Sequence, residues 1–305
     1  MHLEDFRPLG ISATNTTSGT RFFVVNQALA GPRVEVFDLF LTTGAITHVA
    51  TLKHARITSP NSIAATGPSG FYLTNDFFFA RRGGAHVLAL VAELLTAAPG
   101  GSLLHFSLSS EGEVGIGDAQ MVSRLAAGNG VTVDTANNLV WAASTTKGVY
   151  EFSYDPADPA RVGNAKFLRA AVLVDNLMFV AGEVFASGLT SVQRFTESIK
   201  NPEATKPGGL TARVLPLLKM REDDVEVLKR KYDIANSALR REEWRWETVF
   251  VDDGTFYAGP STGAVLEGGR YVGVSLLDRG VVVCDEKPVK GRTVVEPENE
   301  VKDEL

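Results

Sequence analysis

The sequence predicts an all-β chain of the sandwich, barrel or propeller class. Three observations carry this. Short β-branched and aromatic runs recur along the 305 residues, and turn pairs such as Asn-Gly, Asp-Gly and Gly-Gly separate them at roughly 8–12 residue intervals. No rhythm alternates strand with helix. Neither G-x-G-x-x-G nor G-x-x-x-x-G-K-[ST] occurs, so a doubly wound nucleotide fold is not expected.

The strands follow in order. "RFFVVN" (21–26), "VEVFDLF" (34–40) and "AITHVATL" (45–52) are β-branched and aromatic runs. "ITSPNSIAATGPSGFYLTND" (57–76) reads as two short strands around a Gly-Pro-Ser-Gly turn. "GVTVD" (130–134), "LVWAAS" (139–144) and "GVYEFSY" (148–154) come next. "TVFVDD" (248–253), one long run "GAVLEGGRYVGVSL" (263–276) and "GVVVCDE" (280–286) close the series.

Two helical excursions interrupt them. "AHVLALVAELLTAA" (85–98) is an apolar stretch too short to cross a bilayer. In "MREDDVEVLKRKYDIANSALRREEWRW" (220–246), Val225, Leu228, Tyr232, Ala235 and Leu239 share one helical face. This is a surface helix on the sheets, or else a lid over a pocket. "WRW" then places Trp244 and Trp246 on one side of an extended segment, as a buried structural pair or a ligand platform. The domain reading is a β-body over 1–289, a helical insertion near 200–246 and a charged tail over 290–305.

Composition bounds the partners. The chain is 44% apolar and 22% charged, with net charge -6. A negative field argues against nucleic acid. No run of 18 apolar residues is present, so no transmembrane helix is expected. Cys284 is the single cysteine, and its surroundings mark a small hydrophobe in a strand. The chain ends in Lys-Asp-Glu-Leu, an endoplasmic-reticulum retention signal, and Asn15-Thr16-Thr17 is a glycosylation sequon. "MHLEDFRPLG" carries no apolar entry signal. The expectation is a secretory protein, glycosylated at Asn15, whose native form has further N-terminal residues; otherwise it is cytoplasmic.

The search for chemistry leaves oxygen donors. Five histidines are scattered without H-x-x-x-H or H-E-x-x-H spacing, and no G-x-S-x-G elbow exists. Asn61, Asn129 and Asp175-Asn176 stand at strand beginnings. Hard cations such as calcium take such ligands from several loops, although an Asn before a strand is usually a turn former.

These motifs, in order, resemble the serum paraoxonase/arylesterase family, especially divergent fungal members. "FRPLGIS" (6–12) matches F-x-P-H-G-I-S, and "FFVVNQ" (22–27) matches V-V-N-H. "PNSIAATGPSGFYLTND" matches P-N-D-I-x-A-x-G-P-x-x-F-Y-x-T-N-D. "GNGV", "LVDNL", "DDGTFYAGPSTGAV" and "GVVVCDEK" match later segments, for coverage from Phe6 to Lys287. The resemblance implies a six-bladed β-propeller, with its first blade incomplete or atypically closed, and calcium in a central tunnel. Family members hydrolyse lactones and aryl esters. The implied metal ligands are Asn61, Asn129, Asp175 and Asn176, and Asp76 falls at an inner strand end. Thr262, Ser275 and Leu276 match the pocket rim.

The departures bear on mechanism. Leu9 and Gln27 stand where the family has histidines, Leu189 replaces a third, and Ser62 replaces an aspartate that binds a structural calcium. Leucine and glutamine cannot serve as a neutral-pH base, and one carboxylate among amides predicts weak calcium binding. The expectation is a small-molecule enzyme in which Gln27 and Asp76 are the catalytic candidates, and Leu9, Leu189, Thr262, Ser275, Leu276, Trp244 and Trp246 line the pocket. It would act by aligning its substrate, as in a natural-product cyclisation or hetero-Diels–Alder cycloaddition, which needs no cofactor. A calcium-dependent lactonase or arylesterase, and an inert binding propeller, are the alternatives.

Overall fold

The computed structural model describes residues 3–77, 99–109, 114–170, 172–201, 206–216, 244–275, 277–278 and 280–285. Nineteen strands form five antiparallel sheets among them. The first sheet is β1 (Pro8–Asn15), β2 (Gly19–Asn26), β3 (Arg33–Phe40) and β4 (Ala45–Leu52). The second is β5 (Pro60–Gly67), β6 (Gly70–Asn75), β7 (Gly101–Leu108) and β8 (Ile116–Leu125). The third is β9 (Gly128–Asp134), β10 (Leu139–Ser144), β11 (Gly148–Asp155) and β12 (Asp158–Arg169). The fourth is β13 (Leu173–Val180), β14 (Glu183–Leu189), β15 (Gly209–Pro216) and β16 (Trp244–Asp252). The fifth has three strands: β17 (Pro260–Leu266), β18 (Arg270–Ser275) and β19 (Val281–Asp285).

Each sheet is an up-and-down meander, and the sheets pack face to face in chain order, so the fold is an all-β propeller. The first strands of successive sheets, β1, β5, β9, β13 and β17, lie side by side and line the axis. The core is four separate apolar layers, one between each pair of neighbouring sheets. Phe23, Val25 and Val36 meet Phe71, Leu73 and Phe106 in the first layer. Tyr72 and Leu103 meet Val140 and Phe152 in the second. Trp141 and Val149 meet Val174 and Val184 in the third, and Phe185 meets Tyr271 and Val282 in the fourth. Removing a fully buried ring such as Phe71 is worth ~3–5 kcal/mol.

Several expectations are corrected. Six blades were expected; the described residues build five, and the close packing between successive inner strands is not repeated between β17 and β1. The long run 263–276 is two strands, because Gly268 and Gly269 both take positive φ (93° and 77°) and close a hairpin. Both expected helices (85–98 and 220–239) lie outside the described residues. The helix that is described, α1 (Val192–Lys200), was not foreseen. Ser191 caps it, accepting a hydrogen bond from the Arg194 amide.

Candidate functional site

The inner strands run in one direction and are level with one another. A Cβ on Gly10 would meet the Asn61 carbonyl at 2.6 Å, and one on Gly130 would meet Asn176 Cα at 2.6 Å. Ser62 Oγ accepts from the Val131 amide at 3.3 Å, and Ser12 Oγ accepts from the Ala65 amide at 3.0 Å. Leu9, Asn61, Asn129, Asp175 and Thr262 therefore belong to the same end of five adjacent strands. The glycines following Leu9 and Asn129 let these backbones approach.

At this end the donors are arranged as follows. Asn129 Nδ2 donates to Thr145 Oγ1 at 3.1 Å, while its Oδ1 is buried with no hydrogen-bond partner. Ser261 Oγ donates to Asp175 Oδ2 at 2.6 Å and accepts from Asn176 Nδ2 at 3.1 Å, joining the fourth and fifth blades. Asn61 is half-buried at the start of β5. The Thr74 hydroxyl donates to the Asn129 carbonyl and accepts from the Ser62 amide at 3.1 Å. The position matched to a metal-binding aspartate thus carries a hydroxyl, Ser62, inside a hydrogen-bonded seam between blades.

Gln27 is half-buried, and its side-chain amide donates to the Pro60 carbonyl, next to Asn61. Its backbone amide donates to the Arg7 carbonyl at 2.9 Å. Asn26 Oδ1 accepts from the Arg7 amide at 2.8 Å, so the Asn26-Gln27 pair fixes the chain that leads into Leu9. Behind it, Glu35 is fully buried. Its carboxylate accepts from Asn26 Nδ2, Arg33 Nε, His48 Nε2 and the Thr51 hydroxyl. Burial alone would raise its pKa; the four donors override that and hold it at about 2.

The other expected site residues divide. Asp76 is buried just beyond β6, with its amide on the Ser59 carbonyl at 3.0 Å. Leu189 ends β14 and packs against Gly259, where a Cβ would lie 2.4 Å from Leu189 Cδ2. Ser275 organises a turn, donating to the Ala258 carbonyl at 2.6 Å and accepting from the Leu277 and Asp278 amides. Leu276 lies outside the described residues. Trp246 is corrected: it stands on β16, the outermost strand of its blade, where Nε1 donates to the Arg169 carbonyl at 2.8 Å. Trp244 begins the same strand. Asn15 ends β1 and is exposed. Ser261, Thr74 and Glu35 were missed, because a single serine, threonine or glutamate in a strand carries no sequence signal.

The residues present fit a hard cation weakly. The orphaned Asn129 oxygen is the kind of atom a cation satisfies. Against this, the set has one carboxylate, which Ser261 already engages, and the described residues hold no cluster of three or more His, Cys, Asp or Glu suited to a metal. Among the described residues no helix is long and apolar enough to cross a membrane.

The rabbit (Oryctolagus cuniculus) serum paraoxonase/lactonase 3 is 26% identical over 274 residues, covering 88% of this chain and 66% of that protein. Its mouse (Mus musculus) counterpart is 28% identical over 216 residues, covering 69% and 56%. The chain thus spans about two thirds or less of the length of these relatives. Among solved structures, a Bacteroides uniformis protein provisionally assigned as a 6-phosphogluconolactonase is similar with a TM-score of 0.44 and 11% identity, covering 86% of this chain and 76% of that one. That likeness is too shallow to bear on function. The arylesterase family model matches residues 1–224, and the chain belongs to that family.

Proposed function

We propose that the protein is a small-molecule enzyme of the lactonase/arylesterase type, working at the end of the channel where Leu9, Asn61, Asn129 and Asp175 stand level. The observation that carries this reading is the buried, partnerless Asn129 Oδ1 beside the Asp175–Ser261–Asn176 linkage. Asn61, Asn129, Asp175 and Asn176 would hold calcium, which when bound supplies polarisation of an ester carbonyl. The chain's own residues do the rest. Ser261 orients the Asp175 carboxylate. Gln27 anchors the start of β5 through Pro60. Leu9, 42% exposed, offers the substrate an apolar contact. Leu9 and Gln27, at the positions matched to the family's histidines, cannot take a proton from water, so turnover of simple esters is slow.

The test is a lactone and aryl-ester screen with and without calcium, run beside Leu9→His. Slow, calcium-stimulated hydrolysis that Leu9→His accelerates supports the reading. Hydrolysis untouched by EDTA overturns it.

A second reading is favoured by the leucines at positions 9 and 189: a site that aligns an apolar reactant without moving a proton, as in a cyclisation or cycloaddition. The comparisons lend it no support. A six-bladed ring is also a proposal, motivated by the interval between β17 and β1. A secretory location rests on Asn15 and the C-terminal Lys-Asp-Glu-Leu; glycosidase digestion of protein from its native host tests it.

A further inference from the structure

The channel has a second mouth, at the far end of the same inner strands. There a cavity of about 710 Å³ opens among Ile11–Asn15, Ile63–Gly67, Val131–Val133 and Leu177–Phe179. That is the size of an ordinary small-molecule site. Every lining residue is uncharged. The apolar part of the wall comes from the exposed Ile11 and Ala13 and the half-buried Phe179, and the rest is studded with hydroxyls from Thr14, Thr20, Thr66 and Thr132. Among the described residues these four hydroxyls make no side-chain hydrogen bond within the chain, so they are available to a ligand or to water.

We propose that this mouth binds an uncharged amphipathic small molecule, with an apolar body and one or two hydroxyl or carbonyl groups. Charge is the discriminating property. An ion entering here leaves bulk water for a site without a counter-charge, whereas a neutral hydroxyl or carbonyl exchanges hydrogen bonds with the threonines. The strand direction separates this site from the candidate active end: Asn61, Asn129 and Asp175 precede the cavity residues on their own strands. The cavity begins two residues beyond Asn61 and Asn129 and directly after Asn176, and it runs along the rest of those strands.

The test uses Nile red, a neutral dye with an apolar body and a carbonyl. One saturable site with blue-shifted emission is expected. The dye should be displaced by 1-octanol at concentrations roughly tenfold lower than by octanoate or octyltrimethylammonium, which share its chain length and differ in charge. Ala13→Trp, placed at an exposed lining position so that the fold is spared, should weaken the dye roughly tenfold or more. Thr132→Lys should shift the preference toward octanoate. Val283→Thr, an exposed position on β19, which does not line the cavity, should leave dye binding unchanged. Equal displacement by all three competitors, no saturable site, indifference to Ala13→Trp, or loss of binding in Val283→Thr would each overturn the proposal. None of these outcomes depends on ester turnover, so the proposal and the lactonase/arylesterase reading fail separately.

Discussion

Ser261 of the fifth blade donates its hydroxyl to the Asp175 carboxylate of the fourth at 2.6 Å, and the same oxygen accepts from Asn176. One side chain thus orients a candidate ligand and ties two blades together. Ser261→Ala should lower stability by about 1–2 kcal/mol, the cost of hydrogen bonds to a charged group. It should also weaken calcium or terbium binding by roughly 10-fold or more, the usual penalty for losing a supporting hydrogen bond to a ligand. Chemical denaturation reads the first effect and isothermal titration the second. Unchanged ion binding with reduced stability would leave Ser261 a structural tie only.

Gly130 should not tolerate a side chain. A Cβ there meets the Leu177 amide nitrogen at 2.4 Å and Asn176 Cα at 2.6 Å, both backbone atoms that cannot swing away. Gly130→Ala is expected to cost about 1–3 kcal/mol, typical of overpacking. Gly44→Ala is a useful contrast: its φ of 67° strains the alanine, while its Cβ meets nothing. Thermal melts of the pair separate crowding from backbone strain, and only Gly130→Ala should also disturb ion binding.

Stability should decline with acid in two stages. His105 is buried against Tyr72, with Nε2 lacking a hydrogen-bond partner, and burial pushes its pKa from 6.5 down to about 4. The unfolded chain therefore takes up a proton below about 6.5 that the folded chain refuses until about 4. Stability falls as pH drops through that window, by something of the order of 3 kcal/mol. Glu35 acts lower: its pKa is depressed from 4.5 to about 2, so its contribution is present above about 4.5 and is lost as pH falls toward 2. His105→Phe should flatten the upper stage and leave the lower one. Denaturant midpoints measured from pH 3 to 7.5 decide this, and an unaltered profile in the variant would refute the assignment.

Gln27→Ala removes the amide that holds the Pro60 carbonyl, and it exposes what that anchor does. A loss of about 1–3 kcal/mol is expected if the carbonyl stays buried and unmet. Turnover should fall along with it, because Asn61 follows Pro60 directly. A variant with normal stability and lost turnover would instead place Gln27 in contact with the substrate.

Much of this architecture could be read before the structure. Ala45–Leu52 and Leu139–Ser144 were bounded to the residue, because a β-branched run in the first and an apolar run in the second are each preceded by turn formers. The first strand, Pro8–Asn15, carries little strand signal of its own: proline and glycine stand among its first three residues, and pairing with its neighbours makes it extended. The run 263–276 reads as one strand in the sequence, although its Gly268-Gly269 pair is a turn signal. At the site, Asn61, Asn129 and Asp175 were legible as strand-initial oxygen donors. Ser261 was not, because its role arises from the packing of β17 on β13, a long-range relation that no local pattern encodes. For Trp246 the sequence leaves a structural pair and a ligand platform open, and the hydrogen bond from its indole to the Arg169 carbonyl on an outer strand suits the structural reading.

Among the described residues each blade shares its apolar layers with its neighbours in chain order, so stability there is approximately a sum of nearest-neighbour interface terms. Amide exchange should accordingly be graded. The slowest amides would lie in β6, β10 and β14, in the three central blades, and protection would fade outward to β2 and β18. The Glu35 cluster of charged hydrogen bonds lies in the first blade, which among the described residues shares an apolar layer on one face, and there buried polar contacts add to what holds the blade together.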